Sequence, residues 1–467
     1  MAVTLEALSA ETSKLDERRA QGKAMRDKTP RRSHAEFTPA PDRPNVVDLV
    51  TAGDAGRIES LLPIKYGRMS ASAFAFYRGS AGVMAYDLAG TPSTAHYVQL
   101  CGDAHVSNFG VFASPERHLV FDINDFDETH PGAWEWDVKR LVASVIIAGR
   151  ENGFSEAACR DLAMTAASIY QRAMLRASEM NVLDVWYYHV DTEMILNIQN
   201  LVQVTRNRQM DAVLKKAQAR TQRRSLDKLT VIESGVRQFR SEPPLLVPFD
   251  EMEVHETTVK TIRNAWIGYK NSLHEERRHL LDRYQVVDVA LRVGGVGSVG
   301  TRCFVSLLQG RDVDDCIVLQ QKEVGPSCLE AYFPKHSLVN DAERVVRGQR
   351  AMQATPDIFL GWHQGAEKNS HRFFYWRQLA DMKGSAEISL LDEAAFKGYV
   401  SICAVCLARA HARTGDPAVI SGYIGGSDVF AEAVTTFGFA YADQAERDFG
   451  EMVKAVKNGR LAVERGI

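Results

Sequence analysis

Two short stretches concentrate residues that could do chemistry. Asp103, His105 and Asn108 fall in 102-GDAHVSNFG-110, and Asp122, Asp125 and Asp127 fall in 119-LVFDINDFDE-128. Five of these are oxygen ligands or bases lying within 25 residues. Any one Asp could be a turn-former or a cap. The set as a whole points to function. Hard oxygen ligands suit Mg²⁺, which keeps several waters and binds through one or two carboxylates plus substrate phosphates. An Asp five residues before an Asn, followed by a strand ending in Asp, is the layout of a phosphoryl-transfer site. In that layout the first Asp accepts a hydroxyl proton, and the Asn and the later Asp hold metal.

The second stretch is 292-RVGGVGSVGTRCFVSLL-308, followed by 316-CIVLQQKE-323. Gly294, Gly295, Gly297, Ser298 and Gly300 lie between two β-type runs, where a glycine loop can lay backbone N–H groups over phosphates. A dinucleotide fingerprint would need a helix directly after the glycines, whereas 303-CFVSLL-308 continues as strand. No Gly-Lys-Ser/Thr follows, so the Walker pattern also fails. Lys322 interrupts an otherwise apolar strand. A buried, isolated ammonium is costly, so Lys322 calls for phosphates or a carboxylate. Glu343 in the following helix is a candidate partner, with Glu330 the weaker one.

The surrounding pattern supplies the frame. Strands are expected at 96–103, 109–114 and 119–125, with helices at 70–90 and 134–149. Residues 150 to about 230 read as helical, and the Pro-rich 243-PPLLVPF-249 breaks the pattern. A charged helix follows at about 256–283, β-type alternation at 284–323, a helix at 340–354 and a strand at 371–379. Helices at 393–413 and 428–457 complete the chain. Two strand-rich regions far apart in sequence make a mixed α and β chain. There is no internal repeat.

Composition narrows the class. The 467 residues are 45% hydrophobic and 25% charged, with net charge -3, which is ordinary globular usage. A near-neutral chain does not advertise nucleic acid or an anionic membrane as partner. No apolar run approaches the ~20 residues of a membrane span, and the N-terminus lacks a secretory h-region. Seven scattered Cys suggest a reduced, cytoplasmic setting. The pair Cys403 and Cys406 lies in an apolar helical pattern and reads as core packing. The stretch 14–32 carries eight Lys/Arg against three Asp/Glu. Residues 1–45 therefore read as a basic, solvated arm and extended connector, and 206–224 as a solvated basic helix.

Taken together, the two chemistry-bearing stretches resemble the protein-kinase and aminoglycoside-phosphotransferase superfamily. The resemblance implies a catalytic base at Asp103, a metal ligand at Asn108, and ATP with Mg²⁺ (or Mn²⁺) as cofactors. It places the glycine loop and Lys322 over the nucleotide. The bridging-metal Asp is Asp122 when counted forward from Asn108. It is Asp125 when counted back from Asp137 in 134-WEWDVKRL-141, which resembles the helix after the metal-binding strand of the phosphotransferases. Nearly the whole chain also resembles an uncharacterised bacterial family, domain of unknown function 2252. The stretches 64-IKYGRMSASAFAFYRGSA-81, 99-QLCGDAHVSNFG-110, 119-LVFDINDFDET-129, 134-WEWDVKRLVAS-144 and 344-RVVRGQRAMQ-353 carry that likeness.

In kinases the glycine loop and Lys precede the catalytic loop, and here they follow it. The fold implied is α+β, a protein-kinase-like two-lobed architecture in circularly permuted order with helical insertions. Its parts are the arm 1–45, a mainly helical catalytic lobe 46–284, a nucleotide-covering antiparallel β-lobe with one helix 285–380, and helices 381–467 completing the catalytic lobe. Such permutation is tolerable because domain termini lie at the surface, often close together. The function implied is ATP- and Mg-dependent transfer to a hydroxyl of a small molecule. The rivals are a metal-dependent phosphoesterase and a nucleotide-binding pseudokinase. A two-metal hydrolase would want more His ligands than the nearby His96, His118 and His130. On the kinase reading, Lys322 and Asp103 face one cleft. Lys322 then lies within roughly 10 Å of the nearer of Asp122 and Asp125, since both must reach one triphosphate.

Overall fold

A computed structural model describes residues 14–195, 222–252, 256–335, 340–365, 372–379 and 384–466. The fold is mixed α+β with several antiparallel sheets. Most of the basic stretch 206–224 lies outside the described residues.

Two small ladders bracket the first chemistry-bearing region. Strands Phe109–Ala113 and Leu119–Ile123 pair antiparallel, with Phe109 opposite Ile123 and Gly110 opposite Asp122. Just before them, Tyr97–Leu100 pairs with His130–Ala133, with Leu100 opposite His130. The chain therefore leaves one ladder and enters the other twice, through 101–108 and through 124–129. Those two loops are held side by side, and Asn124 N donates to Asn108 O (2.9 Å). The strand at 130–133 is an addition to the expected pattern. The expected helix over 70–90 is two helices, Ala73–Arg78 and Ala81–Leu88, broken at Gly79 and Ser80.

Helices bury this frame. Glu135–Glu151 is almost wholly buried and packs against Glu156–Glu179 and Val429–Lys457. Glu393–Thr414 crosses behind the loops, where the Tyr399 hydroxyl donates to Val106 O (2.8 Å) and Phe109 O (3.0 Å). Cys403 and Cys406 are buried on this helix, and all seven thiols are free. Among the described residues no helix is long and apolar enough to cross a membrane.

The second strand-rich region forms a six-stranded antiparallel sheet. Its order is Gly361–Gln364, Phe373–Gln378, Cys316–Val324, Cys303–Gln309, Gln285–Arg292, Leu246–Pro248. The last strand lies outside the expected 285–380 boundary. It comes from the Pro-rich run, and Pro is tolerated there because the strand is an edge. One face packs Phe239, Val305 and Val318; the other packs Tyr269, Leu319 and Trp376. Helix Asp341–Met352 connects the Lys322 strand to Gly361–Gln364 and is N-capped by Asn340 Oδ1 (2.7 Å from Glu343 N). The single charged helix expected near 256–283 is two, Glu256–Asn271 and Glu275–Leu281.

The basic arm is docked rather than solvated over its described part. Helix Leu15–Ala24 crosses Pro417–Ile424 so closely that a Cβ on Gly22 would come 1.9 Å from Val419 O. Arg26 donates to Tyr423 O (2.8 Å) and Gly422 O (2.6 Å), and Arg31 to Ile424 O (2.7 Å). These arginines satisfy the last carbonyls of a helix, where cations are favoured.

His34 follows in the same arm and is fully buried. The Tyr423 hydroxyl donates to Thr29 O (2.9 Å), so at 2.7 Å it accepts from His34 Nε2. Burial first, and then the Lys139 charge, push the His34 pKa down to about 3. The unfolded chain therefore binds the proton between about 6.5 and 3 and the folded one does not, so stability falls as pH falls through that window. At pH 5 the loss is about 2 kcal/mol, taking ~1.4 kcal/mol per pH unit below 6.5. A His34→Gln variant is expected to lose less of its melting temperature between pH 7.5 and pH 5 than the wild type. Equal losses in both proteins would contradict this account.

Candidate functional site

Asp103 sits on a loop whose backbone is fixed from one helix. Gly102 has φ +82°, and a Cβ there would lie 2.2 Å from Glu128 O, so only glycine fits before Asp103. Cys101 N and Gly102 N donate to the Asp137 carboxylate (2.8 and 3.1 Å). His411 Nε2 lies 3.2 Å from the same carboxylate. One turn along the Asp137 helix, Arg140 Nε donates to Asp103 Oδ1 (2.6 Å). The second oxygen, Oδ2, is 3.6 Å from His105 Nε2. Burial raises the Asp103 pKa and outweighs the opposing pull of Arg140. Burial also holds the His105 pKa well below its ordinary value, aided by Arg140 and Arg78. That imidazole is neutral.

Asn108 links the two loops. Its Nδ2 donates to Asp103 O (2.9 Å) and Asp125 O (3.4 Å), so Oδ1 is the end left to a cation.

Lys322 comes from the sheet and meets the second loop. Its Nζ lies 3.5 Å from Asp125 Oδ2 and forms an ion pair with Asp127. The Tyr375 hydroxyl donates to Asp127 Oδ1 (2.7 Å). Burial alone would pull the Lys322 pKa down. Asp125 and Asp127 more than offset it and hold the pKa well above the ordinary value. For Asp127, burial and the Asp125 charge raise the pKa against the pull of Lys322 and Tyr375.

One expected pairing is not met here. The Lys322–Glu343 pair does not form, because Glu343 accepts from Arg347 Nε (2.8 Å). Its neighbour Arg344 faces the loop instead, donating to Asp127 O (3.0 Å), Thr129 O (2.6 Å) and Gly325 O (2.9 Å). Asp122 and Asp125, left open by counting, have different surroundings. Asp122 is buried behind the hairpin in an ion pair with Arg409, while Asp125 faces Lys322. Asp122→Ala is expected to destabilise the fold by about 3–5 kcal/mol, because it leaves a buried guanidinium unpaired. Chemical denaturation measures the loss. A loss below about 1 kcal/mol would count against this buried pairing.

The glycine loop is tied from outside the sheet. Arg68 donates to Gly294 O, Arg57 Nη1 to Val299 O (2.6 Å) and Ile58 N to Gly300 O (2.7 Å). One cleft of about 1280 Å³ is lined by Asp103, Asn108, Asp125, Asp127 and Lys322, together with Gly294, Gly295, Gly297 and Ser298. Gly300, Asp122 and Glu343 are not on its wall.

Residues 57–455 match the family described as an uncharacterised protein conserved in bacteria, DUF2252. The chain belongs to that family. No curated protein and no solved structure matches the chain significantly. The DUF2252 match begins just after the docked arm and takes in both chemistry-bearing loops.

The cleft of this DUF2252 chain is also lined by Arg78, which the sequence offers with Arg68 as a group able to neutralise an anionic substrate. Arg140, Arg292 and Arg377, which the sequence patterns left unassigned, act on or line it. Arg377 Nε donates to Gln320 Oε1 (3.0 Å) and its Nη1 to Asn124 O (3.2 Å), tying sheet to loop. Asp127, noticed only as one of five oxygen groups, is the closer partner of Lys322. The one available signal was β alternation, which puts Gln320 and Lys322 on one face. A cation would find Asn108 Oδ1 and Asp125 as a sparse ligand pair, a set that fits Mg²⁺ completed by water and phosphate oxygens. Among the described residues no group of three or more His, Cys, Asp or Glu is arranged to hold a metal.

Proposed function

We propose that this protein is an ATP- and Mg²⁺-dependent phosphotransferase acting on a hydroxyl of a small molecule, with a kinase-like fold in circularly permuted order. One observation carries the reading: Lys322 lies 3.5 Å from Asp125 on a cleft that Asp103, Asn108 and the glycine loop also line. Residues about 200 positions apart converge there in the roles that phosphoryl transfer requires. The sheet supports the same reading. Strand, glycine loop, strand, Lys strand, helix, strand, strand is the order of a nucleotide-covering lobe.

In this reading Lys322 and the loop N–H groups hold the phosphates. Asn108 and Asp125 would hold Mg²⁺, which supplies charge neutralisation at the phosphate oxygens. Asp103 takes the acceptor proton through the oxygen not engaged by Arg140. A two-metal phosphoesterase draws less support, since that chemistry uses paired metals about 4 Å apart in a shared ligand cluster.

The test is ligand-dependent stability. ATP with Mg²⁺ or Mn²⁺ is expected to raise the melting temperature, since a ligand of the native state stabilises by mass action. A blank thermal shift together with blank titration calorimetry at millimolar nucleotide would remove both the kinase and pseudokinase readings. Product analysis then separates chemistries: ADP marks phosphoryl transfer and pyrophosphate marks adenylyl transfer.

A further inference from the structure

Arg78 is half-buried and, together with Arg292 on the same cleft, differs from the paired arginines of this protein. Arg43 is shared between Asp87 and Asp448, Arg140 holds Asp103, and Arg409 holds Asp122. Arg344 holds three carbonyls. Arg78 has no hydrogen bond or ion pair among the described residues, and its Nε is buried without a partner. The carboxylates whose charge it feels, Asp103 and Glu151, are engaged elsewhere. Asp103 Oδ1 accepts from Arg140, and Glu151 Oε2 accepts from Phe74 N (3.2 Å). Arg78 nonetheless lines the cleft beside Asp103. A guanidinium held in a cleft without a counter-ion calls for a planar oxyanion, which it can meet through two parallel N–H donors.

Its surroundings favour the same ligand. Arg78 is the last residue of its helix, and the next helix, Ala81–Leu88, begins on the cleft wall. Ser80 makes no side-chain cap to that first turn, and its hydroxyl donates back to Tyr77 O (3.1 Å). Uncapped first-turn N–H groups favour negative charge. The glycine loop closes over the spot: a Cβ on Gly297 would lie 3.9 Å from Arg78 O. Arg78 therefore stands on the cleft wall shared by the glycine loop and Asp103.

We infer that the acceptor carries a fixed oxyanion, a carboxylate or a phosphate, and that Arg78 holds it so that the acceptor hydroxyl faces Asp103. This rests on the phosphotransferase reading for the role of Asp103, but not for the anion site itself.

The test uses the full chain and three probes of one size: glycerol 3-phosphate, glycerate and glycerol. Each is titrated with and without ATP and Mg²⁺ by calorimetry and thermal shift. Wild type is expected to respond to one or both oxyanions and not to glycerol, and which oxyanion binds identifies the group. Arg78→Gln is expected to weaken that binding ten-fold or more, with ATP affinity within about two-fold. Arg78→Lys, which keeps the charge without the fork, should fall between them and controls for folding. No response of wild type to either oxyanion at millimolar concentration overturns the inference. So does equal oxyanion affinity in Arg78→Gln, or an equal loss of ATP affinity in that variant. If ATP fails to bind while the Arg78-dependent oxyanion response persists, the proposed function falls and the anion site stands.

Discussion

Asp103→Asn is expected to lower ATP-dependent turnover by roughly 10²–10⁴-fold, the usual contribution of a positioned general base, while ATP–Mg²⁺ affinity stays within about three-fold. Asn is nearly the same shape and its Oδ1 can still accept from Arg140 Nε, so the loop keeps its anchor. What it loses is the carboxylate oxygen beside His105 that can take a proton. Because the His105 ring is held neutral, it does not supply a second positive charge to suppress the base. Single-turnover ADP formation and calorimetry separate the two effects. Full turnover in Asp103→Asn would remove Asp103 as the base, and a matching loss of affinity would reassign it to ligand binding.

Lys322→Met should be the most damaging single change at the cleft. It leaves Asp125 and Asp127 beside each other without the ammonium that both now face. Removing one partner of a buried ion pair costs about 3–5 kcal/mol. The lower end is expected here, because the Asp125 side chain is 40% exposed and partly hydrated. Nucleotide affinity should fall at least ten-fold as well. Adding Asp127→Asn should recover part of the stability, so that the double variant is less damaged than the sum of the singles. Urea midpoints of the four proteins give the coupling. Additive losses would show that Lys322 and Asp127 do not act as a pair.

The legible and illegible parts of this structure divide by distance in sequence. The strand–loop–strand frame around Asp103 and Asn108, and the strands flanking the glycine loop, rest on local alternation and turn residues. Helical phase was harder to read. Adjacent residues on a helix point about 100° apart, so whether Glu343 or Arg344 faces the Asp127 loop depends on how Ala342, Val345 and Val346 seat the helix in the core. Asp122 and Asp125 straddle the end of a strand at Ile123. Alternation no longer applies beyond that point, and the Arg409 that claims Asp122 lies 287 residues away. The basic arm misled for a related reason. Arg18 and Arg19 pair with the distant Asp416 and Glu179, Arg26 and Arg31 meet backbone carbonyls at the end of a distant helix, and such carbonyls leave no trace in a charge pattern.

Asp137 and Arg140 stand three residues apart on one buried helix, so they project from the same face. One fixes the backbone of the Asp103 loop and the other its carboxylate. The Asp103 carboxylate is thus referenced to a single rigid body, whereas Lys322 is referenced to the sheet. A change in tilt between sheet and helices would alter the gap from Lys322 to Asp125 and leave Asp103 and Arg140 in register. Aim and reach are therefore set by separate parts: the helix that carries Asp137 and Arg140 sets the aim, and the seating of the sheet sets the reach.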